Sequence, residues 1–184
     1  YSIIITIAPT LVVILGILLM GWVLGFDEIS YLERELFSCT VLYVFIFSLL
    51  VVSAFNAVLS KYVQDAIYEE RYQDILPCYY IGLILNLVPG SILGAAFCLW
   101  EHFVGGVGIF YVFLEFCAYI CMILVFYSMI YLSICKDYER ISLFFFLGMV
   151  AAFLISLVLR FLCRWGISES MLTALTAGFL LIAV

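Results

Sequence analysis

Residues 60–77, SKYVQDAIYEERYQDILP, constrain this chain more than any other stretch. They carry Lys61, Asp65, Glu69, Glu70, Arg71 and Asp74, and the sequence on either side is apolar for long enough to cross a bilayer. Each charge placed at the centre of hydrocarbon costs about 2.5–3.5 kcal/mol even on the lenient insertion scale. The interval therefore lies in water or among headgroups, and it fixes where the two flanking helices leave the membrane. Charged residues make up only 11% of the chain, against about 25% in an ordinary soluble domain. With a mean hydropathy of +1.33, this is the composition of an integral membrane protein.

Reading outward from that interval, the apolar runs predict spans at 2–26, 36–59, 77–100, 108–135, 141–163 and 170–184. The fold class expected is all-α, a polytopic transmembrane helical bundle. Asp74 and Pro77 are placed to open the third helix, because an early proline gives up an amide that has no partner there anyway. The final run, Met171 to Val184, makes only about 21 Å of helix, short of a hydrocarbon core of about 30 Å. The first residue is Tyr1 and opens directly into a hydrophobic run. Both ends are therefore expected to be cut from a longer chain. Lys61, Arg71, Lys136 and Arg140 lie in the second and fourth connections, against Arg34, Arg160 and Arg164 in the others. The positive-inside rule then places the second and fourth connections in the cytoplasm.

The seven cysteines form no CxxC pair, and His102 is the lone histidine. Cys117 and Cys121 lie one helical turn apart but are expected to be apolar filler, so no metal and no cofactor is predicted. The net charge of -6 gives no reason to expect a nucleic-acid partner.

Several polar or helix-weakening residues interrupt the spans. Ser53, Asn56, Ser60 and Gln64 recur along one side of a helix, where they either bond neighbouring helices or line a path. Gly82, Asn86, Gly90 and Gly94 stand at four-residue steps, a stripe that another backbone can approach closely; Gly21 and Gly25 are a second such pair. Pro9, Pro89 and Gly90 are candidate hinges. Glu115 is the acid inside an apolar run, with Tyr111 and Tyr119 one turn away on the same face. An ionisable residue inside a span is a functional candidate by default, the alternative being a hydrogen bond of purely structural value. Arg160 and Arg164 point the same way and either snorkel to the interface or pair with a buried acid. The candidate substrate path thus comprises Glu115, Tyr111, Tyr119, Asn56, Asn86 and Ser53.

The central interval resembles the Pel exopolysaccharide exporter family, of the multidrug/oligosaccharidyl-lipid/polysaccharide flippase superfamily. That family has a basic-Tyr-x-x-Asp-x-x-Tyr signature after its second span and a proline opening the third; here the matching residues are Lys61, Tyr62, Asp65, Tyr68 and Pro77. Tyr1, Ser2 and Pro9 also match, whereas Ala8 stands where the family usually has Gly, and Lys61 where Arg is commoner. The resemblance implies that residues 1–184 are the N-terminal six-helix lobe of a two-lobe transporter. It implies a multi-pass protein of the bacterial cytoplasmic membrane that exports a polysaccharide and is not an enzyme. Its partners would be the lipid bilayer, a cytoplasmic glycosyltransferase and other exopolysaccharide synthesis proteins, docked at Lys61, Tyr62, Asp65 and Tyr68. Two alternatives stand beside it. One is a lipid-linked oligosaccharide flippase or drug/cation antiporter of the same superfamily, for which Glu115 would be the titrating acid. The other is a membrane scaffold that transports nothing.

Overall fold

The computed structural model describes residues 2–25, 29–134, 138–161 and 166–183. These form six α-helices, and among the described residues there is no strand. The helices are α1 (Ser2–Leu24), α2 (Tyr31–Tyr68), α3 (Ile75–Gly105), α4 (Ile109–Ile134), α5 (Tyr138–Phe161) and α6 (Ile167–Ala183). A short 3-10 turn, Tyr72–Asp74, precedes α3. Among the described residues four helices, α2 to α5, are long and apolar enough to cross a membrane. The side chains of Ser2, Pro9 and Arg140, and all of Tyr1, Lys136 and Arg164, lie outside the described residues.

The helix ends follow from local chemistry. Ser30 caps α2, its hydroxyl accepting the amide of Glu33 at 3.3 Å, so the helix begins five residues before the apolar run predicts and takes in Glu33, Arg34 and Glu35. At the other end α2 passes straight through the charged interval as far as Tyr68, 38 residues in all, or about 57 Å at about 1.5 Å per residue. It closes with Arg71 N–H on Ala66 O (2.9 Å) and Glu70 N–H on Ile67 O (3.2 Å). This is the Schellman pattern, with Glu70 in the left-handed region at φ 56. Pro77 falls in the first turn of α3, after Asp74, as expected. Gly25 has φ 73 and follows the end of α1, so Gly21 and Gly25 are not a pair on one helical face.

The bundle is arranged around α4. Helices α2, α3 and α6 pack on it, α5 packs mainly on α6, and α1 packs on α5. One large core runs through Val52, Met122, Ile123, Ala152, Leu172 and Leu175. A smaller core of Leu59, Val63, Cys78 and Tyr127 ties the far end of α2 to α3 and α4. Outward faces carry exposed leucine and isoleucine, among them Leu15, Leu49, Ile84 and Leu154, a surface suited to lipid rather than water. With lipid outside, packing and hydrogen bonds between helices, more than apolar burial, hold the bundle together.

Small residues set two of those contacts. Gly82, Asn86, Gly90 and Gly94 are all buried, and they meet side chains where the sequence predicts a backbone. A methyl group on Gly82 would collide with the Tyr127 hydroxyl; on Gly90 it would lie 2.7 Å from Ile123 Cδ1, and on Gly94 2.6 Å from Tyr119 Cε1. Tyr119, Ile123 and Tyr127 are themselves four residues apart, so two antiparallel stripes interlock. True backbone approach occurs between α5 and α6. There a methyl on Gly148 would lie 2.9 Å from Gly178 O, and one on Gly178 2.7 Å from Gly148 O.

Candidate functional site

The interlocked stripes of α3 and α4 continue to one end of the bundle, past Gly94 to Cys98 and Glu101. Helix α3 runs on through Glu101 and His102 to Gly105, where Gly106 ends it at φ 67. His102 Nδ1 and Val107 O are 2.8 Å apart across the tight glycine connector. The sequence EHFVGGV suggests a loop from Glu101 onward, but Glu101 belongs to the last turns of the helix. That placement puts it opposite Glu115 in the second turn of α4.

The two carboxyl groups are near neighbours. Glu115 is buried, only 3% exposed, and Glu101 is half-buried. Oε2 of each is sealed from solvent and has no hydrogen-bond partner among the described residues. The tyrosines expected to satisfy Glu115 do other things. Tyr111 donates to Thr40 Oγ1 of α2 at 3.2 Å, and the ring of Tyr119 fills the space over Gly94. Glu115 therefore has another acid near it, fourteen residues away across a connector.

Glu115 lines a cavity of about 400 Å³ between α2, α3 and α4. Its other walls combine aromatic residues, Tyr43 and Phe47 from α2, Phe97 from α3 and Tyr119 from α4, with aliphatic ones such as Leu50, Val51 and Leu93. Tyr43 and Phe47 meet Phe97 with ring centroids 5.9 and 5.4 Å apart, and Trp100 extends the array at 6.1 Å from Phe97. A second cavity, about 430 Å³, lies between α1, α2, α4 and α5 and is lined by residues such as Val13, Phe45, Met122 and Phe145, with no ionisable side chain among the described residues.

The remaining candidates are spread along the molecule. Ser53 is exposed and donates to Leu50 O at 2.9 Å, a bond within its own helix. Asn56 is half-buried with Oδ1 unpartnered. Asn86 donates from Nδ2 to Gly82 O at 2.7 Å, its Oδ1 also unpartnered. None of these three lines the aromatic cavity. Pro89 sits inside the continuous α3 beside the filled Gly90, and α1 runs across position 9. Arg160 is in the last turn of α5. Among the described residues no cluster of three or more His, Cys, Asp or Glu side chains could hold a metal.

At the opposite end, Lys61, Tyr62, Asp65 and Tyr68 are all exposed on the extension of α2, while Leu59, Val63 and Ala66 on its other side are buried. Lys61 and Asp65 stand one turn apart and form no ion pair. Arg71 instead holds Glu69 at 2.6 Å and Asp74 at 3.2 Å across the turn. Glu69 is the chief cause that raises the Arg71 guanidinium above its ordinary range. Beneath it the hydroxyl of Tyr127 donates to Tyr79 O at 2.8 Å and lies 3.1 Å from Tyr131 Oη, whose own hydroxyl can donate back to it.

The sequence points to Glu115 but not to its acidic neighbour. A usable signal was present, since the buried stripe at four-residue steps, Gly82 to Gly94, runs on to Cys98 and brings Glu101 to the same side of α3. The aromatic wall was legible only in part, through Tyr43 and Phe47 at i and i+4.

Comparison with curated proteins and with solved structures finds no match. A protein-family model, PelG, "Putative exopolysaccharide Exporter (EPS-E)", matches residues 1–184. A membrane bundle with a conspicuous charged helix extension and an aromatic, acid-lined cavity is thus a member of the PelG family of exopolysaccharide exporters.

Proposed function

We propose that this chain forms one six-helix lobe of a two-lobe transporter in a bacterial cytoplasmic membrane. In this reading it exports a polysaccharide that a cytoplasmic glycosyltransferase makes. The observation that carries the reading is the family match across residues 1–184. The structure is compatible with it in two respects. The aromatic wall of Tyr43, Phe47 and Phe97 offers flat apolar faces of the kind on which sugar rings stack, with a carboxyl nearby for hydroxyl groups. The exposed Lys61, Tyr62, Asp65 and Tyr68 give the synthesis machinery a surface beyond the membrane. The step performed is movement of the polymer, and no covalent chemistry is assigned to this chain.

The test is deletion of the gene in a cell that makes the polymer, followed by complementation with the full-length protein. Polymer outside the cell is expected to disappear on deletion while the glycosyltransferase remains active in lysates, and to return on complementation. Unchanged export in the deletion strain overturns the reading. One observation favours a second reading, a lipid-linked oligosaccharide flippase or cation-coupled antiporter: the proximity of Glu101 and Glu115. Accumulation of lipid-linked oligosaccharide, rather than free polymer, in the deletion strain would select it.

A further inference from the structure

We propose that the cavity between α2, α3 and α4 binds an organic ammonium group carried by an amphiphile of the bilayer, with Glu115 as counter-charge and the rings of Tyr43, Phe47 and Phe97 around it. The inference goes beyond the transport reading and does not depend on it.

The cavity exists because two antiparallel helices part. Leu59 of α2 comes within 2.8 Å of where a methyl group on Gly82 would stand, and Val51 within 3.4 Å of the same point on Gly90. One turn further along α3, the atoms nearest that point on Gly94 belong to Tyr119 and Phe116 of α4. The α2 residues opposite, Phe47 and Tyr43, line a void instead, of about 400 Å³. That lies in the range of small-molecule sites, about 300–1,000 Å³.

The inside of the void and its mouth differ in character. Val51, Gly94, Cys98, Glu115 and Tyr119 are buried, whereas Tyr43, Phe47, Leu50 and Leu93 are between 41% and 60% exposed. The opening therefore lies between α2 and α3, flanked by the exposed Ile46, Leu49 and Ile92, on a surface suited to lipid. Trp100 is exposed and stands 6.1 Å from Phe97, and tryptophan is enriched where membrane meets water. Glu115 stands six residues into α4, about 9 Å along the helix. An amphiphile with its head near the interface reaches the cavity without crossing the bilayer centre.

Glu115 decides what that head must be. It is only 3% exposed and lines the cavity, and its Oε2 has no hydrogen-bond partner among the described residues. A buried acceptor left unmet is costly, and no basic side chain is among the described residues of the lining. An alkyl chain alone would fill the void and leave the carboxyl unmet. An ammonium supplies both the donor and the opposite charge. The rings at the mouth favour the same choice, because aromatic faces attract a cation within about 6 Å of the ring centre. Phe97 gathers them, with Phe47 and Tyr43 at centroid distances of 5.4 and 5.9 Å. A hydroxyl can bond the carboxyl but gains little from the rings, and an anion is repelled by both.

The experiment uses the full-length protein in nanodiscs of phosphatidylglycerol, a lipid without an amine. Three amphiphiles of equal chain length are titrated in: dodecylammonium, dodecanol and dodecanoate. The readout is the unfolding temperature at each mole fraction. Dodecylammonium is expected to raise it, half-saturating at a mole fraction at least about tenfold below that of dodecanol, and dodecanoate to leave it unchanged. Glu115→Gln should remove the preference for ammonium over alcohol while keeping the response to dodecanol. Phe97→Leu, which retains the carboxyl, should weaken dodecylammonium several-fold and leave dodecanol unaffected. Equal responses to ammonium and alcohol in the wild type, or a preference that survives Glu115→Gln, overturn the inference. If Glu115→Gln fails to fold, Leu93→Trp at the exposed mouth takes its place: loss of the ammonium response keeps the site, and an unchanged response sinks it. Phosphatidylethanolamine titrated in place of dodecylammonium separates two sources of the group. A matching rise identifies a lipid headgroup, no rise a single-chain amine, and either keeps the site. Export is not read here, so failure of this site and failure of the transport reading remain distinguishable.

Discussion

The hydroxyl of Tyr127 sits where Gly82 has no side chain, and from there it donates to the backbone carbonyl of Tyr79 at 2.8 Å. One α4 residue thereby fixes the height of α3 at the end that carries the charged interval. Tyr79 and Tyr131 close around it, with ring centroids 5.3 and 5.2 Å from that of Tyr127. Gly82→Ala is expected to destabilise the protein by about 1–3 kcal/mol through overpacking. Tyr127→Phe should lose about 1 kcal/mol with its hydrogen bonds. Because Phe lacks the colliding oxygen, the double variant should be clearly more stable than the sum of the two losses. Thermal unfolding in one detergent tests this. Additive losses would show that the hydroxyl does not occupy the glycine's space.

The crossing of α5 and α6 depends on Gly148 and Gly178 together, since each would thrust a methyl group at the other's carbonyl oxygen. Backbone cannot swing aside as a side chain can. Gly178→Val should therefore cost at least about 2 kcal/mol, whereas Gly108→Val, in open space, should cost little. Comparable losses in unfolding temperature for the two variants would refute a close backbone crossing.

Much of this architecture was legible because hydrocarbon punishes charge so heavily that the polar interval could lie nowhere else. The passage of α2 through that interval, the place of Pro77 and the buried Gly82–Gly94 stripe all follow from one-dimensional spacing. The acidic neighbour of Glu115 does not. Spacing at i±4 names Tyr111 and Tyr119, which share its helix, but contacts between helices depend on the register of α3 against α4. That register is set by Tyr119, Ile123 and Tyr127 seating over Gly94, Gly90 and Gly82. Glu101 was obscured as well, because a charge followed by two glycines reads as a loop. The Gly148–Gly178 crossing involves one glycine in each of two helices and leaves no periodic trace.

Glu70 ends α2 in a left-handed conformation, which costs a residue with a Cβ roughly 1–2 kcal/mol relative to glycine. It is exposed, and its backbone N–H closes on Ile67 O. Glu70→Gly should keep that bond, relieve the strain and raise stability by about 1 kcal/mol. A drop in unfolding temperature would mean that the Glu70 side chain contributes something the Schellman geometry does not show.

The orientation of the bundle is predicted from Lys61, Arg71, Lys136 and Arg140, which the positive-inside rule assigns to the cytoplasm. Gln73 is exposed in the turn before α3 and lies outside both the Arg71 clamp and the buried cores. A Gln73→Cys substitution in a cysteine-free background should resist membrane-impermeant thiol reagents in intact cells and react after lysis. Labelling of intact cells would invert the topology.

Lys61 and Asp65 share an exposed face of the α2 extension yet form no ion pair, and the turn beyond them is held by Arg71 with Glu69 and Asp74. Even a formed pair at that spacing would contribute only about 0.2–0.5 kcal/mol, so neither charge has a stability role to lose. The opposite face, Leu59, Val63 and Ala66, packs into the bundle and already secures the extension. Two charges and the exposed rings of Tyr62 and Tyr68, 45% and 90% accessible, are thus presented to water. If the glycosyltransferase docks here, reversing both signs (Lys61→Glu with Asp65→Lys) should leave expression and unfolding temperature within about 0.5 kcal/mol of wild type. Co-purification of the enzyme and export of polymer should both fall at least tenfold. The control is Glu69→Gln, which weakens the clamp without touching the docking face and should leave co-purification intact. Normal export and co-purification by the double reversal would remove Lys61 and Asp65 from any docking role.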